Sequence, residues 1–436
     1  KHLPLNCLFL PHPPAFFFPD KLATKTMAPP QIYPIMGTMT IGSEAQLKPK
    51  AATELMKAFA SHDLTKVPAY GNKSMIDTAR VYQQAFGDGG DSESTIRNII
   101  AATPELQGKI HIATKGISQV PPHFSLSRDS LMEQSAVSLQ RLGTKCIDIY
   151  YLHMPDVKTD LNDTLRGIKE LHEQGKIKEF GLSNFPAWLV VDIWYKCKAL
   201  KMVQPTVYQG MYNILTRSLE PELVCVCRQF KIRLYAYNPL AGGLLTGRYT
   251  TIEDMKTATE GRFSSEFDNA FSKQFKAGAV YQMRYAHQQI FDGVNTIRKA
   301  MDEVNAGQPP AQKLTMVDVA FRWMLHHSYL SKGDGIVIGF SKVEQLEANL
   351  AAWQGGPLPQ SLVDACEVAW QLSMTASESY FKNMGTKPGT IDTFLAMKAK
   401  EQEQKTQQKT QAANECEEAE VKPANMFCCF RPTRSA

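Results

Sequence analysis

A chain of 436 residues, 43% hydrophobic and 21% charged, has the composition of a globular protein able to bury a substantial core. Its net charge of +5 is small for this length, and its Lys and Arg are scattered without forming a block, which argues against a nucleic-acid surface. No run approaches the roughly eighteen apolar residues of a membrane span, so a soluble protein is expected.

Residues 1–26 hold two apolar clusters, Leu8–Leu10 and Phe16–Phe18, but prolines interrupt them and no small-residue cleavage site follows, so they make a poor signal peptide. Met27 reads as the start, and residues 1–30 as a translated leader or a disordered arm. From there short β-branched runs alternate with amphipathic stretches, the pattern of βα units. Eight strands are expected: Ile32–Met36, Met75–Ala79, Ile110–Lys115, Ile147–His153, Phe180–Asn184, Thr206–Gln209, Arg233–Asn238 and Ile336–Phe340. Between them lie helices such as Ser127–Leu142, with Leu131, Ala136, Leu139 and Leu142 near one stripe, and Leu161–Gln174, stopped by Gly175. Eight parallel strands, each followed by a helix, close most naturally into a (β/α)8 barrel spanning residues 31–388. The connection from Leu240 to Ala311 is too long for a plain loop and is expected to carry local helices and act as a lid over a cofactor. Residues 389–436 form a polar tail, disordered or helical, whose end Met426–Phe430 lacks the form of a prenylation signal.

Nine cysteines, an odd number with no CxxC and no His/Cys ligand spacing, indicate a reducing, cytoplasmic setting and no structural metal. Cys225 and Cys227, two apart on an expected helix, point in different directions. The strand ends carry polar residues: Asp77, Lys115, His153, Ser183, Asn184, Gln209, Tyr237, Asn238, Gly339 and Ser341. In a barrel those ends meet at one rim, where active sites are built.

The runs Gly37-Thr38-Met39, Asp77-Thr78-Ala79 followed by Tyr82, Ile112-Ala113-Thr114-Lys115 and Tyr151-Leu152-His153 resemble the aldo-keto reductases. The longer runs Gly181–Phe185, Pro205–Asn213 and Tyr235–Gly247 are similar to the aflatoxin-aldehyde reductase branch of that family. The resemblance extends from about Ile35 to Lys382 and covers neither tail. It implies NADPH-dependent reduction of an aldehyde, and a homodimer.

Reducing a carbonyl requires a hydride donor, a proton for the developing alkoxide and donors that stabilise charge on oxygen. A tyrosine serves as the acid if a neighbouring ammonium favours its phenolate and lowers its pKa. Tyr82 is the candidate acid, Lys115 the ammonium, Asp77 the carboxylate that keeps Lys115 charged, and His153 the donor that orients the substrate oxygen. The resemblance makes these four the catalytic tetrad. Each alone reads more naturally as a turn cap, a surface charge or a structural ring.

No GxGxxG follows a strand, so the doubly wound dinucleotide fingerprint is absent. The resemblance instead implies that Ser183, Asn184 and Gln209 bind the nicotinamide carboxamide and that Tyr237 stacks on its ring, with Asn238, Pro239, Leu240, Gly242 and Leu244 lining the pyrophosphate side. Gly339 leads to a helix N-terminus suited to an anion. Arg248, Arg262, Ser341, Gln345 and Asn349 are candidates for the second phosphate of NADPH. Two departures stand out: Gln345 occupies a place where many family members have Arg, and Lys382 follows Tyr380-Phe381 where the branch has an Arg able to bind a substrate carboxylate. Lys keeps that charge without the guanidinium fork. The alternatives are a cofactor-sensing regulatory subunit of the potassium-channel beta type, which binds more than it turns over, and a metal hydrolase using Asp77 and His153.

Overall fold

The computed structural model describes residues 31–42, 47–83, 91–118, 124–264 and 277–382. The expected N-terminal arm and C-terminal tail therefore lie outside the described residues. In chain order the strands are β1 (Tyr33–Gly37), β2 (Lys66–Val67), β3 (Lys73–Asp77), β4 (Ile110–Gly116), β5 (Ile147–Leu152), β6 (Ile177–Ser183), β7 (Pro205–Met211), β8 (Arg233–Tyr237) and β9 (Gly335–Ile338). Strand β1 pairs in parallel with both β3 and β9, and β3 to β9 pair successively in parallel, so eight strands close on themselves with helices outside: a (β/α)8 barrel, as the alternation predicts. The exception is β2, two residues pairing antiparallel with β3, too short to show as a hydrophobic run.

Both faces of every barrel strand are covered, which is why the strands read as unbroken apolar runs. Side chains alternate along a strand, and the odd-numbered positions point inward. Ile35, Met75, Ala113, Ile149, Tyr151, Val207 and Tyr235 pack together as the barrel's filling, while Met36, Ile76, Tyr150, Phe180, Tyr208, Leu234 and Ile336 join the core between strands and helices. Below that filling, Arg233 pairs with Glu179 and the Tyr70 hydroxyl, Tyr70 bonds Tyr235 through their hydroxyls at 2.9 Å, and the Tyr70 ring stacks on His111 at 3.7 Å. These residues plug the amino end of the barrel and leave the carboxyl end as the open mouth.

The helix Arg128–Leu142 starts at Ser127, whose hydroxyl accepts from the Ser130 N–H, and ends at Gly143 in the left-handed conformation. Its expected stripe needs correction: Ala136 is exposed, and the buried face carries Leu131, Gln134, Ser135, Ser138 and Leu142. Gln134 is buried because its amide accepts from the Ile117 N–H at 2.9 Å and donates to the Ile117 carbonyl at 3.1 Å, closing backbone groups left by the end of β4. Cys227 is buried and Cys225 exposed on the helix Leu223–Gln229, as their spacing predicts. The long connection after β8 contains a 3-10 turn (Ala241–Thr246) and the helices Ile252–Lys256, Ala277–Tyr285 and Gln288–Asn305.

At Gly181 of β6 the inward position is filled from the neighbouring strand, since a Cβ there would lie 2.5 Å from Cδ1 of Tyr151. Gly181→Ala must therefore displace a fully buried ring, and overpacking of this kind costs about 1–3 kcal/mol. Urea unfolding should show that loss; a midpoint equal to the wild type would contradict this packing.

Candidate active site

One inward step beyond the filling, strand alternation carries Asp77, Lys115, His153, Ser183, Gln209 and Tyr237 to the open mouth, two residues after Met75, Ala113, Tyr151, Gly181, Val207 and Tyr235 respectively. Beyond β3 the chain continues beside β4, with the Thr78 N–H donating to the Ala113 carbonyl at 2.9 Å and the Arg80 N–H to the Lys115 carbonyl at 3.2 Å. It then turns, the Tyr82 N–H reaching the Ala79 carbonyl at 3.0 Å, and this turn brings the phenol back over Lys115. The expected strand residues Thr78 and Ala79 thus belong to this extension and not to β3 itself.

The Lys115 ammonium is fully buried. It donates to Asp77 Oδ2 at 2.6 Å, to the Thr78 carbonyl at 2.8 Å and to the Tyr82 hydroxyl at 3.4 Å. The other Asp77 oxygen accepts from the Gln209 amide at 2.8 Å. Tyr82 meets His153 edge to face, their ring centroids 6.2 Å apart. All four expected tetrad residues are in one place.

Their electrostatics differ from expectation at one point. Burial pushes the Tyr82 phenol well above its ordinary pKa, and the Asp77 carboxylate pushes it further up. The expected lowering by Lys115 is not the net result: burial and the Asp77 charge dominate, and the influence that opposes them comes from Arg262. Tyr82 is therefore a neutral phenol, charged with a proton to give. Burial lowers Lys115, which Asp77 opposes, and it lowers His153 well below the usual imidazole value, assisted by the Lys115 charge. One ring nitrogen of His153, Nδ1, is buried without a hydrogen-bond partner among the described residues. Such a group is costly unless a ligand satisfies it.

Beside the tetrad, Asn184 just past β6 takes the left-handed conformation (φ 62°), which Asn tolerates. Its amide donates to the His153 carbonyl at 2.9 Å and to Ser183 Oγ at 3.0 Å and accepts from the Tyr237 hydroxyl at 2.9 Å. Asn184 therefore brackets β5, β6 and β8 in addition to any contact with a ligand. After β8, Asn238 is also left-handed (φ 64°), and its Oδ1 accepts from the Gly242 N–H at 2.7 Å, shaping the turn that follows Pro239 and Leu240. A Cβ at Gly243 would meet nothing within 4 Å, so the backbone is open to close approach there, whereas at Gly242 a Cβ would lie 2.8 Å from Cδ1 of Tyr281. Leu244, in contrast, is fully buried in the helix–strand core.

Arg262 lies against the end of β9, its Nη2 3.4 Å from where a Gly339 Cβ would stand, and its Nη1 donates to the Tyr281 hydroxyl at 3.1 Å. Arg248 is half exposed, 3.5 Å from Glu260. Ser341 and Gln345 are joined: the Gln345 amide oxygen accepts from the Ser341 N–H at 2.8 Å and hydroxyl at 3.1 Å. Asn349 is buried on the helix Val343–Trp353. Backbone open at Gly243, a guanidinium at the end of β9 and an unsatisfied imidazole nitrogen at the end of β5 are groups that fit a phosphate-bearing dinucleotide and a carbonyl. Lys382 is held at the same mouth by its own N–H, which donates to the Asn184 carbonyl at 3.0 Å.

Three residues of this mouth have no counterpart in the sequence reading: Tyr281 and Arg284 on the helix Ala277–Tyr285, and Glu378. The guanidiniums of Arg262 and Arg284 each lie 5.3 Å from the Tyr281 ring centroid. They belong to the long connection and to the segment after the last helix, where no periodicity marks an inward face. Among the described residues no group of three His, Cys, Asp or Glu is placed to hold a metal, and no helix is long and apolar enough to cross a membrane.

Residues 35–371 match the model of the aldo/keto reductase family. The chain is 38% identical over 352 residues to human aldo-keto reductase family 7 member A3, covering 80% of this chain and 96% of that protein. It is 37% identical over 350 residues to rat aflatoxin B1 aldehyde reductase member 2, covering 80% of this chain and 87% of that one. The human member 2 of the same name is 36% identical over 363 residues, covering 83% and 92%.

A buried imidazole held neutral should not titrate in the ordinary range. The His153 ring proton resonances are expected to stay constant from about pH 8 down to about pH 5.5. An inflection near pH 6.5, lost in His153→Gln, would contradict the neutral ring.

Proposed function

The chain belongs to the aldo/keto reductase family, hence to the oxidoreductases, and we propose that it reduces aldehydes and dialdehydes to alcohols with NADPH, the proton coming from Tyr82. The observation that carries this reading is the contact chain from Asp77 through Lys115 to the Tyr82 hydroxyl, beside a neutral His153. Relatives carrying the name aflatoxin B1 aldehyde reductase support an aldehyde as the substrate class.

Bound NADPH would supply the hydride. The protein's part is to bind, orient and protonate. An aldehyde oxygen placed between Tyr82 and His153 would accept a hydrogen bond from an imidazole N–H, which fixes the carbonyl without adding a full charge. As negative charge grows on that oxygen, the Tyr82 proton moves to it. The phenolate left behind forms beside the Lys115 ammonium, already in place, so stabilisation is supplied without rearrangement. Asp77 keeps that ammonium protonated against burial, and Gln209 holds Asp77 in turn.

For the nicotinamide end, Ser183, Asn184 and the Gln209 amide oxygen are assigned to the carboxamide and the Tyr237 ring to stacking. Gly242 and the backbone from Asn238 to Leu244 take the pyrophosphate side, and Gly339 the approach along β9. Arg262 is the principal cation for the second phosphate, with Arg248, Ser341, Gln345 and Asn349 around it. Arg262 suits that task through its planar donor fork.

Tyr82→Phe removes the proton and little else. It should lower the rate of aldehyde reduction by about 10²–10⁴-fold, the usual worth of a positioned general acid, while NADPH still quenches the protein's fluorescence as in the wild type. Near-normal turnover by the variant would overturn the assignment.

A further inference from the structure

Arg284, Glu378 and Lys382 form a charged cluster at the mouth that the steps above do not use. Both cations donate to one oxygen: Arg284 Nε to Glu378 Oε2 at 2.8 Å, and Lys382 Nζ to the same Oε2 at 2.5 Å. The side chains are largely buried, 10% exposed for Arg284, 22% for Glu378 and 21% for Lys382. The cluster adjoins the site: the Lys382 N–H donates to the Asn184 carbonyl, and the Tyr237 hydroxyl donates to the Asn184 side-chain oxygen. Arg284 and Glu378 are also near enough to shift the Tyr237 phenol in opposite directions. Ser218 anchors Glu378 by donating to its carbonyl at 3.2 Å.

Two cations converging on one carboxylate oxygen are the arrangement that would recognise an anionic substrate group, with that place taken by the chain itself. We propose that Glu378 is a specificity-determining residue, an internal carboxylate that occupies the Arg284–Lys382 pair and so favours neutral aldehydes over aldehydes bearing a carboxylate. The substrate part of this proposal rests on the reductase reading above; the occupancy of the cation pair does not. A second carboxylate entering the cluster must share both cations with Glu378 and meets its like charge at short range. Protonation offers no escape at working pH. Burial alone would raise the Glu378 carboxyl, but the Arg284 guanidinium and then the Lys382 ammonium outweigh it and hold it at about 2.

Glu378→Gln keeps the shape and removes the charge. Calorimetric titration with glutarate, an unreactive dicarboxylate, is expected to give binding about tenfold tighter than in the wild type, the scale of one charge-assisted hydrogen bond. In the same variant kcat/KM for 4-carboxybenzaldehyde relative to 4-nitrobenzaldehyde should rise by a similar factor, through KM. Glu378→Ala frees the same pair and should tighten glutarate binding likewise, which keeps the proposal testable if the Gln variant does not fold, and adding Lys382→Met to either variant should reverse the gain. Glutarate binding that fails to tighten in folded Glu378→Gln or Glu378→Ala, or a gain that survives the added Lys382→Met, overturns the proposal whatever the kinetics show. A wild-type protein that reduces neither aldehyde would overturn the reductase reading instead, with the glutarate titration still deciding the role of Glu378.

Discussion

Taking an ammonium and a carboxylate out of water costs several kcal/mol per ion even after relaxation, and Lys115 and Asp77 sit together in the barrel mouth with almost no exposure. The pair is sustained by saturating it with hydrogen bonds. Lys115 donates to Asp77, to the Thr78 carbonyl and to Tyr82, and Asp77 accepts a further bond from Gln209. Those contacts come from β3, β4, β7 and the turn after β3, so satisfying one buried charge fixes the relative placement of four segments. The upper mouth is built around that requirement.

The rest of the barrel makes the placement accurate. Strand alternation stacks a polar plug, an apolar filling and a polar mouth in three layers, each one inward step above the last. The plug of Arg233, Glu179 and Tyr70 closes the end where no chemistry is needed. The filling includes Tyr151, whose ring centroid lies 5.8 Å from the Lys115 nitrogen. Gly181 is the gap that lets the Tyr151 ring fit. The mouth then holds a neutral phenol and a neutral imidazole next to a pre-formed cation, an environment ready for negative charge that develops on a substrate oxygen.

The parts of this arrangement that lie on strand ends were readable from residue order. Asp77, Lys115, His153, Ser183, Gln209 and Tyr237 close apolar runs, and a barrel must gather them. Other features depend on packing between distant segments. The upward displacement of the Tyr82 pKa follows from burial and from the nearby Asp77 charge, neither visible in spacing. The meeting of Arg284 with Glu378 joins the long connection to the segment after the last helix, and neither stretch carries a period that would aim a side chain. Gln134 takes a buried helix position outside the expected stripe because loop backbone beside β4 needs partners. The two-residue β2 is below the length at which alternation can be read.

The central claim is that the pre-placed Lys115 charge is what allows Tyr82 to release its proton as hydride arrives. Single-turnover hydride transfer from NADPH to a neutral aldehyde in Lys115→Met, with fluorescence quenching by NADPH recorded on the same sample, tests it most directly. A fall of about 10²–10⁴-fold in the transfer rate with cofactor binding retained is the predicted result. A transfer rate close to that of the wild type would contradict the account.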